Sequence, residues 1–340
     1  MAPPILDSHI HLFPKSELSS LAWCTPSHPL ASQHSISEYR SATTSSSSRL
    51  EGFIFLETDR HNARSTSSVA PLQEISFLRR IVTDSPLPGE GHSPGDGKLC
   101  LGIVPWAPVN LGREGVEAYL KQAEEVAGEE TWKRVKGFRY LLQDKDDGTG
   151  LTEGFIEGLR VLGRRGFVFD LGVDQHRRGK RQLDEAVEIV DRAHEGVPEG
   201  EKVVFILNHL CKPDLSVVNT TTDPSFIAWR TAMFTLSKCE RTYMKLSGAF
   251  AEMPAHLTSR TPNEIFEILY PWLAVVLAAF GPGRIMFASD WPVCTVNGGG
   301  EGAWEKWRAV VERMCDMASL SEEARGMIWS GTAKKAYGIE

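Results

Sequence analysis

The segment Asp7-Ser8-His9-Ile10-His11 places two imidazoles two residues apart behind an apolar opening. On an extended strand that spacing sends both rings to one side. Imidazoles converging at a strand end suit a divalent metal ion. By the same parity Asp7 shares their side, deeper, where its carboxylate would orient a histidine. Taken alone, such a pair is more often one packed core histidine beside one exposed one, so other segments must decide. Three further apolar runs end in groups of matching chemistry: Glu57 after FIFL, His209 after VVFILN, and Asp290 after IMFAS. Burying such a carboxylate without a partner would be costly. One polar residue after one such run could simply open a loop. Four ends, all histidine or carboxylate, argue for a shared site.

The elements that must carry these groups alternate. Eight short β-branched or apolar runs read as buried strands, at 5–12, 52–58, 99–104, 135–141, 167–172, 202–208, 243–247 and 284–289. Between them lie helical patterns at 71–82, 113–127, 152–165, 180–194, 223–237, 262–280 and 303–317, with a last one at 321–336. In LDEAVEIVDRAH the apolar Leu183, Val187 and Val190 recur at helical spacing while Asp184, Glu188 and Asp191 fall on the wet side. Thr152 and Ser321 read as helix caps, and Thr261 precedes a Pro-Asn-Glu entry. Eight strand-helix repeats predict a single (β/α)8 TIM barrel over residues 1–340. An open doubly wound sheet that binds nucleotide would need a glycine-rich loop after the first strand, and none is there. Two insertions break the rhythm. Residues 14–49, with SATTSSSSR, read as a long irregular loop at the carboxyl end of the first strand, either a lid or a tolerated surface insertion. Residues 84–98, rich in Pro and Gly, fall on the opposite side, where no function is expected.

The chain has 340 residues, 41% hydrophobic and 24% charged, enough apolar surface for a large core and too much for a disordered class. Its net charge of −7 offers no basic surplus to nucleic acid or anionic lipid, which favours small-molecule work. Six cysteines without CxxC spacing read as reduced thiols. With no signal-peptide pattern and no apolar run of about 18 residues, the expected compartment is the cytoplasm and no membrane contact is expected.

ILDSHIHLF, VKGFRYLLQ, NHLCKPDL, YMKLSGAF and FASDWPV, in that order, resemble the metal-dependent hydrolase barrels of the amidohydrolase superfamily, in the branch that contains sugar-lactone hydrolases. The resemblance runs from Ile5 to Gly338. It implies that His9 and His11 are the first-strand pair, that His209 is the histidine after the sixth strand, and that Asp290 is the carboxylate after the eighth, which in this superfamily commonly activates water. The usual DHxGKP stretch here reads Asn208-His209-Leu210-Cys211-Lys212-Pro213, which keeps His209 and Lys212 but loses the acid and the glycine. The histidine after the fifth strand is missing, with His176 only well past the strand end, so a binuclear site is not expected.

The activity so implied is opening of a sugar lactone, with one divalent ion, zinc first and manganese second. Its expected ligands come from Glu57, His209 and Asp290, with His9 and His11 either ligating or binding the lactone. Asp290 and His209 are the expected catalytic pair, Asp290 taking a water proton and returning it to the ring oxygen. Arg139, Tyr140, Lys212 and Trp291 are the expected readers of the substrate, with Trp106, Trp23, Arg60 and His61 weaker candidates. Lys136 precedes its apolar run and points to the wrong end, and Cys211 reads as an incidental thiol. Metal-dependent decarboxylation of an aromatic acid and non-catalytic binding of a sugar acid are the competing functions. A homo-oligomer is left open.

Overall fold

A computed structural model describes residues 2–62 and 69–340. All eight expected strands are present: β1 Ile5–Ile10, β2 Leu50–Leu56, β3 Cys100–Val104, β4 Gly137–Arg139, β5 Val168–Leu171, β6 Phe205–Leu207, β7 Thr242–Leu246 and β8 Ile285–Phe287. Most are shorter than their apolar runs. The run continues past the last ladder bond as extended chain, and that is where the chemistry-bearing residues sit.

The strands pair in parallel as β1-β2-β3 and as β4-β5-β6-β7-β8. Backbone hydrogen bonds also cross between the two sheets. The His11 N–H donates to the Trp291 carbonyl at 2.7 Å and the Asp290 N–H to the His9 carbonyl at 2.9 Å. At the other edge the Lys136 N–H donates to Ile103 and the Arg139 N–H to Pro105, both at 3.0 Å. Helices fill the connections, giving an α/β architecture. Those at Lys180–His194, Pro262–Phe280 and Ala303–Met317 keep the expected bounds. The helix Gly112–Trp132 breaks at Gly128, whose φ of 68° lies outside the helical region. The last expected helix is divided into Glu322–Gly326, a wide turn at Met327–Gly331, and Thr332–Tyr337.

Alternation along the strands sorts side chains into two layers. Leu6, Ile54, Leu56, Val104, Val168, Ile206, Tyr243 and Met286 form an inner cluster with Ala333, Ala336 and Tyr337 of the last helix. Phe53, Phe55, Phe169, Phe205 and Phe287 point outward to the helices.

Residues 14–49 are more structured than expected. They form the short helix Lys15–Ser20 and the helix Ile36–Ala42, closed by a Ser35/Glu38 capping box. Leu21 and Leu30 of this insertion pack with Phe13. The helix Pro262–Phe280 amends another expectation, being long and apolar enough to cross a membrane by length and composition. Its Ile265, Leu269, Trp272, Leu273 and Val276 are buried in the core. All six cysteines are free.

Candidate active site

His9 and His11 come from the end of β1, and the strand reaches them through a register shift between Asp7 and Ile10. A bulge of this kind re-aims a side chain. Asp7 therefore does not orient a histidine, as strict alternation suggested. It faces the helix layer, where it accepts from Tyr39 Oη (3.0 Å) and Trp304 Nε1 (2.7 Å), and from the Ser289 N–H at 2.8 Å. That last bond anchors the segment before Asp290. Burial raises the Asp7 carboxyl above its usual range, and its hydrogen bonds to Ser289, Trp304 and Tyr39 oppose that only in part.

Beyond the bulge the groups converge on Asp290 Oδ1. His11 Nε2 lies 3.5 Å away, His9 Nε2 3.7 Å and His209 Nε2 3.8 Å. The ligand atoms of His9, His209 and Asp290 all lie within 4.8 Å of one another. His9 and His11 touch, Nε2 to Nε2, at 3.2 Å. Two of the histidines are oriented through Nδ1: His11 meets the Leu56 carbonyl at 3.0 Å, and His209 meets Ser247 Oγ at 2.8 Å.

Two carriers of this cluster are held in unfavourable backbone. His209, Leu210, Cys211 and Lys212 form a run of positive φ (54°, 55°, 59° and 45°), and Asp290 has φ 61°. Such residues persist only where the surroundings over-determine them, and they gather at functional sites. Here Trp229 Nε1 donates to the Leu210 carbonyl at 2.7 Å and the His176 N–H to that of Lys212 at 2.8 Å. Gly248, at φ 71°, is the residue beside His209, and a Cβ there would lie 2.6 Å from the His209 Cβ.

The charge states are set by burial and by neighbours. Burial pushes His209 down to about 3. Burial, then the Lys245 charge, holds His9 well below the usual histidine value. For Asp290 burial works upward, but His209, His11 and Lys212 together bring it below the usual carboxylate value. Neutral His9 and His209 beside an ionised Asp290 are in the protonation states that a cation site requires. Histidine and carboxylate are also a donor set that suits zinc, so the residues present fit such an ion.

A cavity of about 490 Å³ opens over the cluster, lined by His11, His209, Asp290, Arg139 and Lys212 and by Phe13, Trp23, Leu30 and Val293. Several expected residues sit elsewhere. Glu57 does not join the histidines, because its Oε1 accepts from Arg139 Nε at 2.7 Å and its Oε2 from the Asp59 N–H at 2.5 Å. Both oxygens are thus committed. Tyr140 points opposite to its neighbour Arg139, as alternation demands, and packs its ring against Phe155 at 5.6 Å. Trp291 is covered by the insertion, its ring against Tyr39 at 5.3 Å and His34 at 5.6 Å, so Trp23 is the tryptophan that lines the cavity. Trp106 is buried against Tyr119. Arg60 is tied to Glu74 and Glu17, and His61 is exposed. Lys136 bonds the Gly338 carbonyl, away from the cluster. His176 pairs with Glu252 at 2.9 Å, and burial pushes the Cys211 thiol up to about 12.

Three residues near the cluster were missed. Asp59 lines the cavity, and burial with the Glu57 charge beside it pushes its carboxyl up to about 6. Lys245 and Asp170 are fully buried and paired at 2.5 Å beneath His9. Each is the single charge inside an apolar run, in YMKLSG and FVFDLG, on β7 and β5, which flank β6, and two such lone charges of opposite sign in buried strands are a legible sign of a pair.

Parallel strands with a buried histidine and carboxylate cluster beyond their carboxyl ends define a hydrolase-like α/β protein. The family model described as Amidohydrolase matches residues 103–339. The chain is 34% identical to an L-rhamnono-gamma-lactonase of Scheffersomyces stipitis, over 98% of each chain. It is 30% identical to an L-fucono-1,5-lactonase of Burkholderia multivorans, over 64% of this chain and 67% of that one. Among solved structures, an amidohydrolase from Burkholderia multivorans with bound Zn superposes with a TM-score of 0.75 at 23% identity, covering 99% of this chain and 100% of that one. The chain belongs to the amidohydrolase family.

Proposed function

We propose that this protein is a sugar-lactone hydrolase, a carboxylic ester hydrolase acting on an aldonolactone such as L-rhamnono-1,4-lactone. The observation that carries the chemistry is Asp290, ionised and ringed by three imidazoles at 3.5–3.8 Å at the base of a cavity of about 490 Å³. The likeness to a rhamnonolactonase along 98% of the chain supports the substrate class. The hydrogen bonds between the β3 and β4 segments, and between β1 and the segment after β8, support reading the strands as one closed (β/α)8 barrel, a single domain over 1–340. Active sites of such barrels lie at the carboxyl ends of the strands.

Opening a lactone needs a nucleophilic water, a polarised carbonyl and a proton for the leaving alkoxide. Asp290 takes a proton from water as its oxygen adds to the carbonyl carbon, and gives it to the ring oxygen as the carbon–oxygen bond breaks. The Asp290 N–H, bonded to the His9 carbonyl, fixes the residue that carries the carboxylate, and His209, held by Ser247, and His11, held by the Leu56 carbonyl, wall it in. Lys212 presents its ammonium to the substrate oxygens, and Arg139, fixed by Glu57, adds a second positive group on the cavity wall. Trp23 takes the stacking role expected of Trp291. One divalent ion, zinc in the first place, would be held by His209 and Asp290 with the β1 pair, and would supply Lewis acidity toward the ester carbonyl.

The test is acid release from a panel of aldonolactones by the purified protein. The expected result is saturable opening of 6-deoxyaldonolactones. Carbon dioxide release from a dihydroxybenzoate with no lactone opened would replace this reading with decarboxylation. Thermal stabilisation by a sugar acid without turnover would replace it with binding.

A further inference from the structure

β7 and the residue that follows it reach under two of the histidines. Lys245 and Ser247 are two residues apart, and they meet the Nδ1 atoms of His9 and His209 at 3.4 and 2.8 Å. Their chemistry differs. A serine hydroxyl accepts or donates, whereas an ammonium only donates. The His9 Nδ1 must therefore accept from Lys245, which leaves the His9 proton on Nε2. The next contact agrees. His11 Nδ1 faces the Leu56 carbonyl, which only accepts, so its proton sits there and its Nε2 is free to accept from His9 Nε2 at 3.2 Å. Every donor in the chain from Lys245 to Leu56 finds an acceptor.

The lysine is anchored from below. Asp170 Oδ1 accepts from Nζ at 2.5 Å, and Asp170 Oδ2 accepts from Tyr337 Oη of the last helix at 2.7 Å. Lys245, Asp170 and His9 are all fully buried, and His9 is absent from the cavity wall that His11, His209 and Asp290 line. Nothing in the lactone-opening scheme uses this ion pair, yet burying two charges is costly and returns little stability of its own.

We propose that Lys245 is a positioning residue that fixes His9 with its proton on Nε2 and weakens the hold of the cluster on a divalent cation. The inference rests on reading the cluster as a cation site. A cation seated among the Nε2 atoms requires the His9 proton to move to Nδ1, where the ring can no longer accept from Lys245, and it lies close to a fixed positive charge in a buried setting where charges are poorly screened. Ser247 imposes no such cost on His209.

The experiment uses the full chain. Long-range proton–nitrogen correlation spectra of the chelator-treated, nitrogen-15-labelled wild type, with His9 assigned by comparison with His9→Gln, report the tautomer. The expected spectrum has the His9 proton on Nε2, and a proton on Nδ1 overturns the proposal. Zinc affinity, read by competition with a chromogenic chelator, is then compared between wild type and Lys245→Met/Asp170→Asn, a pair of changes that removes both charges while the new amide still offers Tyr337 an acceptor. The double variant should bind zinc about tenfold more tightly or better. Equal or weaker binding by a folded variant overturns the proposal, since damage to a merely structural contact loosens a site. Neither readout involves turnover, so a protein that failed to open lactones would leave both standing.

Discussion

His209 is buried as a neutral imidazole, and its folded value of about 3 lies below the ordinary 6.5. Between those values the unfolded chain binds the proton and the folded chain does not. The contribution of His209 to the stability of the chelator-treated protein is therefore level above pH 6.5 and falls as pH drops toward 3. Urea titrations across that range should show the decline, and His209→Asn should flatten part of it; an unchanged slope would remove His209 as its source. Lys212→Met should lower kcat/KM by about 10- to 100-fold, the worth of one hydrogen bond to a charged group, with an unaltered melting temperature. At this scale the sequence was informative where a polar residue ended an apolar run, as at His9, His11, His209 and Asp290. It misled where the partner came from a distant element: nothing near Glu57 says that Arg139 takes its carboxylate, and nothing near Trp291 says that Tyr39 and His34 cover it.

β7 and the turn after it position the site, and both can be broken separately. Gly248 sits at φ 71° against His209, so Gly248→Ala should cost about 1–2 kcal/mol from its left-handed backbone alone. It should also displace the imidazole, reducing turnover far more than the small fall in melting temperature would. A variant with lowered stability but wild-type kcat would show that the ring tolerates the push. The buried pair of β5 and β7 makes a second case. Lys245→Met leaves the Asp170 charge without its partner and should destabilise by about 3–5 kcal/mol. Lys245→Met/Asp170→Asn should recover most of that, and equal losses in both variants would show that the pair's charges are not what matters. The eight strands were legible from apolar runs with turn residues between them. The bulge in β1 was not, because a one-residue register shift leaves no trace in an apolar pattern, and it alone turns Asp7 to the helices and His9 to the cluster.

For the molecule as a whole, the alternation of strands and helices was readable because each element carries its own periodicity. The order within residues 14–49 was not, since that segment is held by contacts with Phe13 and by a capping box rather than by a regular pattern. If a cation sits in the cluster, dialysis against a chelator should abolish lactone opening, and zinc or manganese should restore it; full activity in a verified metal-free preparation would remove the ion from the account while leaving the lactonase reading intact. The central claim is that Asp290 drives hydrolysis of a sugar lactone in this cavity. It is tested most directly by following acid release from L-rhamnono-1,4-lactone with the wild type and Asp290→Asn side by side. The account predicts saturable release by the wild type, and a folded variant slower by about 10²- to 10⁴-fold, the usual contribution of one acid–base group. Wild-type release no faster than the buffer blank, or an Asp290→Asn variant as fast as the wild type, would contradict it.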